Sequence, residues 1–228
     1  MLENAPDRSR IFDGLSSAER RAWLDAAVSR DLRPRQVLAR QSDPAETFYL
    51  VESGLLKLVR STAAGDDVIV RLVGPAEPFG GVVALDGAAY PLTALAAVPA
   101  RVLAWSRPTL TRLLSLHPQV RTNIMREMAD HMTEAMTRVQ ELTTDRAHQR
   151  VAHAVLRMAR QCGQKTPDGT LIRYAFTRQE LAELSGTTLY TASRTMAQWQ
   201  HQGILQSVGR KVVVRAPAAL EALARGRS

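Results

Sequence analysis

The side chains best suited to chemistry lie between residues 177 and 215, where two helix starts follow closely on one another. Thr177 and Glu180 have the spacing of a capping box, in which each side chain bonds the backbone amide of the other. Thr188 can cap a second helix that extends to about residue 201. On this helix we expect four outward-facing residues near the amino end: Leu189, Tyr190, Ser193 and Arg194. An arginine there can donate two parallel hydrogen bonds to O6 and N7 of guanine.

Two glycines and a basic hairpin complete this segment. Gly186 can take the left-handed conformation that ends the first helix and allows a tight turn, and Gly203 can end the second. Residues 204–207 and 211–215 are predicted to be strands on either side of Gly209. This order is typical of a winged helix-turn-helix, whose second helix fits a DNA major groove. Further side chains suit contact with the DNA backbone, where they orient without reading sequence: Thr177, Arg178, Gln179, Thr188, Arg210 and Lys211.

Charge is divided unevenly along the 228 residues. Residues 1–144 hold 17 basic and 17 acidic side chains, whereas residues 145–228 hold 13 basic and five acidic ones. The whole formal excess of +8 therefore belongs to the last third of the chain. A basic segment beside a neutral one favours a domain that binds double-stranded DNA, joined to a sensing or oligomerising domain.

Composition excludes several classes of protein. Apolar residues make up 45% and charged residues 23%, as in ordinary globular domains. The longest uncharged run, around residues 88–100, contains prolines and is shorter than the roughly 20 apolar residues of a membrane-spanning helix. Because the amino terminus is charged and has no apolar core of a signal peptide, we expect a cytoplasmic protein without membrane contact. The single cysteine, Cys162, cannot form an internal disulfide or hold an iron–sulfur cluster.

The elements that must position the basic segment change from strand to helix near residue 108. After a helix at 16–29, short runs between turn residues predict strands at 35–40, 47–52, 55–60, 67–73 and 102–105. Such strands are typical of an antiparallel β-roll or jelly-roll barrel. Helices are predicted at 109–116, 118–143 and 145–161, followed by a loop at 164–169 and a strand at 171–176. The fold class is therefore α+β.

The long helix from residue 118 carries apolar residues that repeat every seven positions. Steps of three and four residues connect the members of this seam: Met125, Met128, Met132, Ala135, Val139 and Leu142. Charged residues such as Glu127 and Arg138 lie off it. A narrow apolar seam with charged flanks is the pattern of a coiled coil, which favours pairing with a second copy of the chain. The alternative is that the helix packs on its own domain.

The run at 177–205, followed by Gly-Arg-Lys-Val-Val-Val at 209–214, resembles the DNA-binding domain of the Crp–Fnr family, named for the cyclic-AMP receptor protein and the fumarate-nitrate regulator. Residues 48–58 and Pro-Phe-Gly-Gly at 78–81 are similar to the family's cyclic-nucleotide-binding-type barrel. The resemblance implies an effector-sensing β-roll domain at 1–117, a dimerisation helix at 118–144 and a winged helix domain at 145–228. It also implies a homodimeric transcription regulator that reads a palindromic site and contacts RNA polymerase.

The chain departs from the family's nucleotide-binding pattern. Members that bind cyclic nucleotides carry glutamate after the Phe-Gly pair, and Arg-Ser about ten residues on; this chain has Gly81 and Pro91–Leu92 there. Without that arginine an anionic nucleotide has no charge-assisted partner, so we do not expect cyclic AMP to bind. The resemblance places an effector pocket of unknown occupant at six residues: Phe79, Gly80, Gly81, Tyr90, Pro91 and Leu92.

Residues 86–94 and 188–194 are more similar to the family branch tied to nitric oxide and denitrification, in which some members bind haem. Five histidines are candidate axial ligands: His117, His131, His148, His153 and His201. A lone histidine on a helix is more often a surface or packing residue, so haem stays open and no ligand is assigned. Tyr190 stands where the family usually has glutamate, so we expect the operator to differ at the base pair which that glutamate reads.

Three other interpretations have to be weighed. The barrel can be purely structural, which leaves a regulator without a ligand. The chain can be a regulatory subunit that binds a small ligand and whose winged helix contacts a protein, although the segregated charge argues against this. An enzyme is not favoured, because the sequence has no metal-ligand spacing, phosphate-cradling glycine loop or nucleophile motif.

Overall fold

A computed structural model of the chain describes residues 5–61 and 67–226. The chain divides into two compact units, Met1–Glu134 and Ala135–Ser228. Both combine helices with antiparallel sheets, so the predicted α+β class is confirmed. Across the described residues, none of the helices has the length and apolar character required to span a bilayer.

The described part of the first unit contains two four-stranded antiparallel sheets. The first has the strand order β1-β8-β3-β6 and the second β2-β7-β4-β5. The strands are β1 (Val28–Leu32), β2 (Val37–Ala39), β3 (Thr47–Ser53), β4 (Leu56–Ser61), β5 (Asp67–Val73), β6 (Pro78–Phe79), β7 (Thr93–Ala96) and β8 (Ala100–Ser106). The helices are α1 (Ser17–Asp25), α2 (Gly81–Asp86), α3 (Arg107–Leu116) and α4 (Pro118–Thr144), which continues into the second unit.

Strand β3 explains how this unit builds a core on each side of one sheet. Successive side chains of a strand point to opposite faces. Tyr49 and Val51 join an apolar cluster to which both sheets contribute, whereas Phe48 and Leu50 join a second cluster with Trp105 and residues of the helices. Because both faces are buried, the four central residues of the strand, 48–51, are all apolar.

Helix α4 is attached to the amino-terminal segment by a buried asparagine. The side-chain amide of Asn123 donates to the carbonyl oxygens of Ile11 at 3.0 Å and Asp13 at 2.8 Å. Because a buried polar group is costly unless it is hydrogen-bonded, this pair of bonds favours one position of the segment on the helix.

The second unit is a helical domain with one four-stranded sheet in the order β11-β12-β10-β9. Its elements are α5 (Ala147–Cys162), β9 (Gly163–Thr166), β10 (Gly169–Ile172), α6 (Arg178–Ser185), α7 (Leu189–His201), β11 (Leu205–Val208), β12 (Lys211–Val214) and α8 (Pro217–Ala224). Helices α6 and α7 with the β11–β12 hairpin match the helix-turn-helix and wing that the sequence predicts.

Three predicted elements are wrong in extent or type. The loop at 164–169 contains strand β9, where Lys165 pairs with Thr170 of β10. This edge strand has polar, exposed side chains and therefore no hydrophobic alternation to reveal it. The strand predicted at 171–176 ends at Ile172, and the helix predicted at 16–29 ends at Asp25. Residues 28–32 form β1 instead, because they pair with β8.

Candidate nucleic-acid interface

Helix α6 begins at the predicted capping box. The Thr177 hydroxyl oxygen accepts from the backbone amide of Glu180 at 3.1 Å, and the Thr177 amide donates to the Glu180 carboxylate at 2.8 Å. The hydroxyl of buried Tyr174 donates to the other oxygen of that carboxylate, which ties the preceding segment to the helix start. Burial and the Glu180 charge raise the pKa of Tyr174, so this donor keeps its proton.

The turn after α6 and the start of α7 follow the predicted signals. Gly186 has a φ of 58°, the left-handed conformation that a β-carbon disfavours. The Thr188 hydroxyl oxygen then accepts from the amide of Thr191 at 3.2 Å and caps α7. Gly203, with a φ of 70°, follows the end of α7.

Helix α7 has one buried and one exposed face. The buried residues that fix its rotation are Ala192, Thr195, Met196 and Trp199. The four residues predicted to contact bases lie on the other side, and we name them the reading face: Leu189, Tyr190, Ser193 and Arg194. Tyr190 is 72% exposed and Leu189 50%, Arg194 is exposed, and Ser193 is half-buried. The side chains at the amino end of α7 are thus free to contact a partner.

Within the reading face, Arg194 lies one helical turn after Tyr190. Its guanidinium carbon is 5.9 Å from the centroid of the tyrosine ring, within the range of a cation–π contact. This contact is worth roughly 0.5–1 kcal/mol at exposed sites, and it limits the rotamers of the arginine. This pair is absent from the sequence prediction, although the i,i+4 spacing of the two side chains on a helix is a signal for it.

The residues predicted to contact the DNA backbone lie at helix starts and on the wing. Thr177 and Thr188 are the caps of α6 and α7, and a helix start favours anions such as phosphate. Gln179 is exposed and donates to Glu183 at 3.0 Å. Burial lowers the pKa of Arg178, which is half-buried on the first turn of α6. Arg210 and Lys211 are both exposed at the tip of the β11–β12 hairpin.

Two aromatic residues predicted to line an effector pocket belong to the barrel core. Phe79 stacks between Tyr49 and Tyr90, with centroids 6.2 and 5.5 Å away. The Tyr90 hydroxyl donates to the carbonyl of Thr47 at 2.7 Å, and burial raises its pKa. Pro91 is exposed and Leu92 half-buried.

Gly80 and Gly81 form the junction of β6 and α2. Gly80 has a φ of 80° and is the amino-terminal cap of α2. A β-carbon added at Gly81 would lie 3.2 Å from Ile124 Cγ2 and 3.3 Å from Phe48 Cε2. A longer side chain at residue 81 therefore requires these buried neighbours to shift.

The five histidines are dispersed. His117 lies 3.5 Å from the Glu19 carboxylate, and His153 lies 3.6 Å from Glu141 and 3.4 Å from Asp145. His131 Nδ1 is 3.2 Å from Arg71 Nη1; burial and this arginine lower its pKa to about 4, so it is neutral and accepts the bond. His148 and His201 are exposed. In residues 5–61 and 67–226, three or more His, Cys, Asp or Glu side chains nowhere converge as metal ligands.

All six residues of the seam are exposed on α4 of the single chain. Met132 has 60% of its surface exposed, which a methionine of a closed core would not have. Met136, exposed to 65%, widens the seam and was missed, because the alternating steps of three and four pass over it. The exposure leaves an unpartnered apolar surface, which is the feature a coiled-coil partner covers.

Comparison with known proteins independently supports a DNA-binding helix-turn-helix preceded by a barrel. Residues 149–223 match the Crp-like helix-turn-helix domain, and residues 29–117 match the cyclic nucleotide-binding domain. The transcriptional activator protein Anr of Pseudomonas aeruginosa is 28% identical, across 89% of this chain and 84% of its own. The structure of FixK2 from Bradyrhizobium japonicum aligns with a TM-score of 0.76 and 25% identity, across 86% of this chain and 96% of its own.

A further relative matches almost from end to end. The cyclic AMP receptor protein of Thermus thermophilus is 31% identical over 222 residues, which cover 96% of this chain and 98% of its own. The barrel, the two-helix motif and the wing all fall within this alignment. The chain therefore belongs to the Crp–Fnr family of DNA-binding transcription regulators.

Proposed function

We propose that this regulator acts in the cytoplasm as a homodimer on a palindromic operator and is not an enzyme. The observation that carries the proposal is that the chain has both of two exposed surfaces: the reading face on α7 and the apolar seam on α4. Two copies joined along the seam would present two reading faces. These would enter successive major grooves if they lay roughly 34–36 Å apart. The winged helix domain at 145–228 would supply DNA contact, with the β-roll at 1–117 as the sensor and 118–144 as the dimerisation helix.

The signal that controls it is, on this proposal, not cyclic AMP, although one relative is named as a receptor for that nucleotide. Gly81 stands where nucleotide-binding members of the family carry glutamate, and Ile124 and Phe48 leave little room for a side chain there. Pro91–Leu92 replace the Arg-Ser pair, so these two positions supply no arginine for a cyclic phosphate. The stacked Phe79 and Tyr90 fill the interior close by.

We also propose that this chain belongs to the branch of the family that is tied to nitric oxide and denitrification. This proposal rests on the similarity of residues 86–94 and 188–194 to that branch. Haem is then one candidate effector, although each of the five histidines is exposed or lies beside a carboxylate. Contact with RNA polymerase is proposed from membership of the family.

Selection of bound duplexes from a random DNA pool, using the full chain, tests the operator. We expect an inverted repeat whose half-sites are about one helical turn apart, because a two-fold dimer presents two equivalent reading faces. At the position that Tyr190 faces, the selected base pair should differ from the usual family site. Recovery of sequences without an inverted repeat would contradict the homodimer on a palindrome.

A further inference from the structure

The turn between α6 and α7 is held by two arginines that lie outside it. Arg150 of α5 donates from Nε to the carbonyl of Ser185 at 3.0 Å and from Nη2 to that of Gly186 at 3.0 Å. Arg138, near the carboxyl end of α4, donates from Nη2 to the carbonyl of Leu184 at 3.2 Å. We name these three bonds the turn clamp. All its members belong to the second unit.

The clamp completes the carboxyl end of α6. The last carbonyl groups of a helix have no partner within it. Here the amides of Gly186 and Thr187 bond the carbonyls of Glu183 and Ala182. The next three carbonyls along the chain accept from the two arginines, and a cation at this end of a helix is also electrostatically favourable.

Arg150 also contacts the segment that directly follows the long helix α4. Arg150 Nη1 donates to the carbonyl of Asp145 at 2.7 Å, directly after α4. Leu142 of α4 lies so close to Gly186 that a β-carbon there would collide with its Cδ2 atom. Glu141, with only 7% of its surface exposed, accepts from Arg157 of α5 at 2.7 and 2.8 Å. Residues 135–144, α5 and the turn are therefore joined by a continuous set of contacts.

We propose that Arg150 and Arg138 are positioning residues that set which operator spacing the protein accepts. They hold the turn, and with it the first turn of α7, in one orientation on residues 135–144 of α4. The inference rests on the proposed homodimer: because the seam lies on that helix, its orientation to α7 determines how far apart two reading faces lie.

Lysine is the informative substitution at both positions. It keeps the positive charge, but its single ammonium group cannot reproduce the planar fork that Arg150 uses for three carbonyls. Arg160 provides a matched control, since it is exposed and lies on the same helix, α5. Arg138→Lys is the second variant, which loosens the clamp from α4 rather than from α5.

The experiment measures binding of the full-length Arg150→Lys, Arg138→Lys and Arg160→Lys proteins to duplexes whose selected half-sites differ in spacing by single base pairs. For the first two variants we expect affinity at the preferred spacing to fall about tenfold, the effect of losing one or two charge-assisted bonds. The ratio of affinities between the preferred spacing and the neighbouring spacings should fall by a similar factor. Affinity for random duplex should stay within about twofold of that of the unsubstituted protein. Arg160→Lys should behave as the unsubstituted protein.

Three outcomes would overturn the inference, and they can be told apart. If the unsubstituted protein prefers one spacing and both clamp variants retain that preference, or lose affinity equally at all spacings and for random DNA, the arginines have only a structural role. If the unsubstituted protein shows no spacing preference, the palindromic homodimer fails and the inference fails with it.

Discussion

At the scale of single residues, Arg194 and Tyr190 are the pair that we propose for reading DNA sequence. Arginine at this place can bond guanine bidentately, and its stacking on Tyr190 reduces the freedom it would lose on binding. The tyrosine stands where the family usually carries glutamate, so an acceptor for cytosine is replaced by an aromatic ring and a hydroxyl. The operator should therefore keep the guanine that Arg194 bonds, and it should differ from the usual family site at the base pair that Tyr190 faces.

Arg194→Ala should remove discrimination at one base pair in each half-site, at a cost of about 1–3 kcal/mol there. Lys211→Ala is the comparison, because an exposed lysine at the wing tip contributes charge and no bidentate geometry. It should weaken all sequences alike and reduce the salt slope by about one. Both are measured by fluorescence anisotropy on specific and random duplexes over a salt series. Equal losses of Arg194→Ala on both duplexes would make Arg194 a phosphate contact.

At the scale of elements, α4 is the helix whose surface is least explained by its own chain. The six seam residues and Met136 are exposed along it, while its off-seam Glu141 is buried against α5. A helix that buries a carboxylate and exposes its methionines needs a second apolar surface. Methionine repacks readily, which suits an interface that has more than one arrangement.

Met132→Glu should separate the proposed homodimer, because it places a charge at the centre of the seam. We expect association to weaken a hundredfold or more, about 3 kcal/mol. Gln140→Glu adds the same charge to an exposed residue off the seam and should leave association nearly unchanged. Sedimentation gives the masses, where one chain is 25.1 kDa. A Met132→Glu protein that sediments as a dimer would show that the seam is not the interface.

At the scale of the whole molecule, charge and chemistry are divided between the two units. The basic excess belongs to residues 145–228, where the reading face and wing lie. Residues 1–144 hold equal numbers of basic and acidic side chains, and the β-roll within them has stacked aromatic rings in its interior. This division suits a regulator in which one unit senses and the other binds a polyanion.

Cyclic AMP should leave the melting temperature of the protein unchanged to within about 1 °C, because the phosphate has no arginine at residues 91–92. A ligand at a hundred times its Kd stabilises a protein by about 2.7 kcal/mol, or roughly 5–10 °C for a chain of this size. A shift of that size, measured by differential scanning fluorimetry with millimolar nucleotide, would contradict the proposed effector class.

A haem absorbance band after reconstitution would support the nitric-oxide branch, and its absence would contradict haem.

The sequence alone determined the elements that are specified by neighbours along the chain. The caps of the two helices depend on hydrogen bonds and backbone conformations within a few residues: Thr177 with Glu180, Gly186, and Thr188. The two-helix motif therefore starts and turns where predicted. The short apolar run within residues 47–52 likewise predicted strand β3. The two-helix motif, the segregated charge and the family resemblance together predicted DNA binding, and the match to the Crp-like helix-turn-helix domain confirmed it.

Tertiary structure decided whatever depends on contacts between residues far apart in sequence. Strand β1 exists because β8 pairs with it, and polar β9 because β10 does. Tyr90 is held in the core by a hydrogen bond from its hydroxyl to a carbonyl oxygen 43 residues away. Arg150 has no sequence signal of its own, and only the packing of α5 against α6 brings it to the turn carbonyls 35 and 36 residues later. Local hydrogen bonds and caps are encoded by short spacings, whereas pairing partners and buried polar contacts depend on the complete packing of the chain.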